Sequence, residues 1–87
     1  MNGLSTTITH AGSSFLVQTQ ESGPRGQFLE TSVYRHGRIV YSRRTPYTTI
    51  LDDPKRDERI TRLVRAQHLA VLEDALAGRL DAHLLKP

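Results

Sequence analysis

The sequence predicts an α+β domain: an antiparallel sheet of three to four strands followed by one long C-terminal α-helix packed on one face. Three observations lead there. Residues 14–45 alternate apolar and polar side chains between turn-forming residues, the pattern of half-buried strands. Asp52-Asp53-Pro54 then opens a stretch whose apolar residues recur at helical spacing. The 87 residues hold one core and therefore one domain, divided as a β meander over 1–51, a helix over 52–78 and a tail over 79–87.

Met1 to His10 is polar and Thr-rich and reads as a weak edge strand around Ile8. Ala11-Gly12-Ser13 is a turn signal. Ser14 to Gln20 puts Phe15 and Val17 on one face and Leu16, Gln18 and Gln20 on the other. Glu21 to Gly26 combines Gly and Pro as a loop. A hairpin follows from Phe28 to about Thr45, turning at His36-Gly37, where Gly tolerates positive φ and His does so better than most residues. That turn sets Tyr34 opposite Ile39, Val33 opposite Val40, Ser32 opposite Tyr41 and Glu30 opposite Arg43. One face then carries Leu29, Thr31, Val33, Val40 and Ser42; the other carries Phe28, Glu30, Ser32, Tyr34, Ile39, Tyr41 and Arg43. Either face can serve as the core.

Pro46 ends the strand by withholding a ladder donor. Asp53 is placed to N-cap a helix whose first position is Pro54, with Asp57 and Glu58 in its first turn and Gly78 as its stop. Around this helix, Ile60, Leu63, Val64, Val71 and Ala75 form one apolar stripe, enough to pack on a sheet. A second stripe of Leu69, Leu72, Leu76 and Leu80 falls nearly opposite and continues toward the N-terminus as Arg65 and Arg62. An apolar anchor with a charged rim is how a partner-binding face is built. The competing use of this stripe is to receive the tail, whose Leu80, Leu84 and Leu85 suit docking.

The net charge of +3 lies in the β half: residues 1–50 carry five arginines against Glu21 and Glu30, whereas residues 51–87 hold seven basic and seven acidic side chains. Arg35, Arg38, Arg43 and Arg44, with Tyr34 and Tyr41, form an alternative anion- or nucleic-acid-binding surface. A charge of +3 is modest for that purpose.

The absence of Cys excludes disulfides and thiolate metal sites and fits a reducing, cytoplasmic setting. Nothing resembles a signal peptide or approaches the length of apolar run that spans a bilayer. His10, His36, His68 and His83 are scattered, without the short spacing of a metal site. Ser13 and Ser14 lack a nucleophile elbow, and Gly23-Pro24-Arg25-Gly26 lacks the order of a phosphate loop. No metal, cofactor or enzyme activity is expected.

The segments FLVQTQ, GRIVYSRRTPY and RAQHLAVLEDALAGRLD give the chain, from Phe15 to Asp81, a resemblance to small uncharacterised bacterial proteins built of strands and a C-terminal helix. That resemblance implies no enzyme activity and assigns no residue a role. The chain is also similar to small adaptors of bacterial polarity and signalling modules, some of which act with Ras-like GTPases. The function expected is therefore a non-catalytic protein-interaction module or adaptor that binds another protein, itself as a homodimer, or both through Leu69, Leu72, Leu76, Leu80, Arg62 and Arg65. Nucleic-acid binding through the Arg/Tyr surface is the alternative.

Overall fold

A computed structural model describes residues 3–22, 27–50 and 52–86. The Gly23–Gly26 part of the expected loop, Leu51 and the chain ends lie outside the described residues. Strands β1 (Gly3–His10), β2 (Ser13–Glu21), β3 (Phe28–Arg35) and β4 (Arg38–Pro46) form one antiparallel sheet in chain order. A single 3₁₀ turn (Thr48–Ile50) leads to helix α1 (Arg56–Leu76), and a short helix α2 (Asp81–Leu84) follows. This is the α+β arrangement expected.

Two tight turns set the register of the meander. Ala11 and Gly12 (φ 51° and 79°) join β1 to β2, and His36 and Gly37 (φ 53° and 77°) join β3 to β4. Consecutive positive φ values define type I′ turns, whose twist matches that of the flanking strands.

The β3–β4 register departs from the expected one. Tyr34 does face Ile39 and Arg35 faces Arg38, but Val33 lies opposite Tyr41, so Val40 is an extra, unpaired residue. This β-bulge shifts everything beyond it by one position. Ser32 therefore pairs with Ser42, Thr31 with Arg43, and Glu30 with Arg44 in place of Arg43. Tyr41, Arg43 and Thr45 face the helix with Val40, and Ser42 turns away, so the grouping of Ser42 with Leu29, Thr31 and Val33, and of Tyr41 and Arg43 on the opposite face, is corrected.

Helix α1 begins at Arg56, two residues later than expected. Asp53 still organises the entry: its Oδ1 accepts from the Lys55 amide at 2.8 Å, its carbonyl accepts from the Arg56 amide, and its Oδ2 pairs with Arg59 at 2.8 Å. At the other end Gly78 (φ 82°) closes a Schellman motif, with Arg79 N–H on Asp74 O and Gly78 N–H on Ala75 O.

The tail folds back into the core. Leu80 and Leu84, 6% and 0% exposed, join Phe15, Val17, Val33, Val71 and Ala75 in one apolar cluster. A second cluster of Leu29, Tyr47, Ile60 and Val64 lies nearer the helix N-terminus. The helix thus covers the Leu29–Thr31–Val33 face of β3 and the Phe15–Val17–Thr19 face of β2.

Candidate functional site

Between the two apolar clusters lies a polar layer that positions the helix. One threonine from each strand (Thr6, Thr19, Thr31 and Thr45) faces α1 and meets the adjacent pair Gln67-His68. His68 Nδ1 is 2.8 Å from Thr19 Oγ1, and its Nε2 is 2.8 Å from Thr6 Oγ1. Thr19 and Thr31 hydroxyls are 2.7 Å apart. Gln67 donates to Thr31 Oγ1 at 2.9 Å and to the Arg43 carbonyl at 3.1 Å, and accepts from Thr45 Oγ1. With His68 neutral, one consistent donor chain runs from Gln67 through Thr31 and Thr19 to His68 and on to Thr6. Burial holds the His68 pKa below its usual 6.5.

These contacts fix which way the helix is rolled. His68 looks toward β1, whereas Gln67 and Asp74 look toward β4, Asp74 accepting from Arg43 at 2.8 Å. Leu72 and Leu76 follow His68 at intervals of four along the same flank, and Leu69 lies above them. Leu69 and Leu76 are 52% and 53% exposed, and Leu72 is partly buried against the first cluster. Thr61, Arg62, Arg65, Ala66 and Leu69 line a small apolar hollow on this side. Leu80, expected in the same stripe, lies beyond the end of α1 and is core, because Gly78 breaks the helix and turns the chain inward. Of the expected stripe, α1 therefore carries Leu69, Leu72 and Leu76 with Arg62 and Arg65, and Leu80 drops out of it.

Beneath this flank runs the free edge of β1. Among the described residues β1 pairs only with β2, along its whole length. In a hairpin with a two-residue turn, the residues flanking the turn exchange hydrogen bonds. His10, Ile8, Thr6 and Leu4 therefore bond to β2, and Thr9, Thr7, Ser5 and Gly3 turn their amides and carbonyls outward. β1 itself carries no Pro, Lys, Arg or bulge, devices that commonly guard such an edge. The opposite edge, β4, has all of these except Lys, in Pro46, Arg38, Arg43, Arg44 and the Val40 bulge.

The alternative arginine–tyrosine surface is divided. Tyr34 and Tyr41, expected on one face, lie on opposite faces because of the bulge. Arg43 is on the helix side, its Nε donating to Tyr41 at 2.9 Å and its Nη2 to Asp74. Asp74 is held below the ordinary carboxylate pKa by Arg43 first and Arg79 second. Arg44 is on the open face, bonded to Glu30 at 2.7 Å and stacked 4.7 Å from the Phe28 ring centre. Arg35 and Arg38 sit together at the hairpin end.

The histidines also separate: His10 bonds to Asp81 at 2.8 Å, His36 forms the turn, His68 is in the polar layer, and His83 rests against Tyr41. Among the described residues no three His, Asp or Glu side chains converge as a metal site. No helix formed by them is long and apolar enough to cross a membrane. No family model, curated protein or solved structure matches the chain.

Sequence reasoning missed the Gln67-His68 pair. The signal was present: both fall within the inward arc of the helix, and Thr19 and Thr31 occupy the inward phase of strands otherwise lined by Phe15, Val17, Leu29 and Val33.

Proposed function

We propose that the protein is a non-catalytic interaction module, a small adaptor that self-associates as a homodimer. The observation that carries this reading is the outer edge of β1, which holds no proline, lysine, arginine or bulge, with Leu69 and Leu76 exposed on the helix packed over the sheet. A second copy of the chain satisfies both at once, because an antiparallel β1–β1′ pair about a two-fold axis is self-complementary.

The register of such a pair follows from the contacts already described. Leu4 packs on the cluster that holds Ile60 and Val64, Thr6 meets His68, and Ile8 packs on the cluster that holds Val71. Helix and strand therefore run side by side, two strand residues (about 6.7 Å) matching four helix residues (about 6 Å). A two-fold centred on Thr7 lies level with about residue 70 of α1. Thr7 then exchanges ladder bonds with Thr7 of the second copy and Ser5 with its Thr9, while Leu69 comes level with the other Leu72. Arg62 and Arg65 fall at the rim. The resemblance to bacterial adaptors supplies the setting of this reading, a bacterial signalling or polarity system.

Light scattering across a concentration series tests it. Dimer is expected for the wild type and monomer for both Leu69→Glu and Thr7→Pro. Leu69 is exposed, and the Thr7 amide faces outward, so both variants are expected to retain the wild-type circular dichroism spectrum. A wild type that stays monomeric into the millimolar range, or folded variants that remain dimeric, overturns the proposal.

A further inference from the structure

Arg35 and Arg38 lie directly opposite each other at the end of the β3–β4 hairpin. Two cations so placed repel. Among the described residues neither has a carboxylate within ion-pairing distance, unlike Arg43 and Arg44 on the same strand pair. Lys86 joins them from the segment after α2, and His36, Ile39, Val40 and His83 complete the lining of an open hollow of about 590 Å³. No acidic residue among the described residues lines it.

Part of this lining is fixed in place. Arg35 Nη1 donates to the Leu84 carbonyl at 3.2 Å, and its guanidinium lies 5.9 Å from the centre of the Phe15 ring. Its Nε is buried without an acceptor among the described residues. His83 is steadied by Tyr41, with ring centroids 5.2 Å apart. Ile39, 58% exposed, adds an apolar wall.

We propose that this hollow binds the phosphate of a small phosphomonoester. Three cationic side chains, with no carboxylate beside them among the described residues, match a dianion better than a single carboxylate charge, and two guanidinium groups supply donors suited to phosphate oxygens. The volume is that of a small-molecule site. A nucleic acid would need a track of free cations, and the track ends here because Arg43 and Arg44 are paired with Asp74 and Glu30. Ile39 offers the carrier of the phosphate something to pack on.

The test is an amide NMR titration of the full chain with phenyl phosphate, inorganic phosphate, benzoate and a short DNA oligonucleotide. Phenyl phosphate is expected to shift the amides of residues 35–39 and 83–86 and to bind more tightly than inorganic phosphate. The Arg38→Ala/Lys86→Ala double variant, altering two exposed side chains, is expected to weaken it about tenfold, while Arg44→Ala leaves it unchanged. Benzoate binding as well as phenyl phosphate, or an unaffected double variant, overturns the site. Inorganic phosphate binding as tightly as phenyl phosphate overturns the monoester assignment. Tighter oligonucleotide binding that depends on Arg44 overturns it in favour of nucleic acid.

Discussion

His68 is the residue on which most of the buried polar chemistry turns, since both its ring nitrogens contact threonines of different strands. Its folded-state pKa is lowered by burial, so the folded protein resists the proton that the unfolded chain accepts near 6.5. Stability is therefore complete above about pH 6.5 and declines as pH falls toward the lower folded-state value. Urea unfolding at pH 7 and pH 5 is expected to show this decline, and His68→Gln, which does not titrate there, to flatten it. Thr19→Val removes the shared partner of His68 and Thr31. It is expected to cost about 1–3 kcal/mol at pH 7 in the same measurement, through polar groups left unpaired in the interior. An unchanged urea midpoint would show that these groups find other partners.

At the scale of elements, the turns, strands and helix were legible because each is written in local chemistry. His36-Gly37 and Gly78 sit where positive φ is needed, and Phe15 and Val17 alternate with polar neighbours. The Val40 bulge was not legible, because Arg38 to Arg44 reads equally well with or without a slip and only packing against α1 decides between them. That one residue moved Tyr41 and Arg43 to the helix side and so divided the arginine surface. The end of the leucine stripe was misplaced for a related reason: helical spacing continues past Gly78 in the sequence, whereas the chain does not. Element geometry also exposes an unfavourable choice at Ala11, whose φ of 51° is one that Asn adopts more readily. Ala11→Asn is expected to stabilise the β1–β2 turn by about 0.5–1 kcal/mol, raising Tm by about 2–8 °C. A Tm that falls in a thermal melt would refute this account of the turn.

The whole molecule is one sheet and one helical layer, 44 × 21 × 19 Å, exposing 5872 Å². A folded monomer of 9.8 kDa exposes about 5,200 Å² by size scaling. The surplus, about 700 Å², goes with the elongated shape, which exposes more surface than a rounder body of the same mass. Dimerisation would add to folding stability by mass action. The Tm of the wild type is expected to rise with protein concentration and that of Thr7→Pro to stay constant, as scanning calorimetry over a hundredfold range would reveal. Concentration-independent melting of both would count against the interface.

Leu80 and Leu84 belong to the same core as Phe15 and Val17, and Asp81 is tied to His10. Synthesis, which proceeds from one end, therefore delivers the sheet long before the side chains that close it. Until the segment through Leu84 has left the ribosome, the first cluster lacks two of its buried leucines and β1 its clasp. The nascent chain waits with its inner face wet, and the sheet closes only once Leu80 and Leu84 are free to dock.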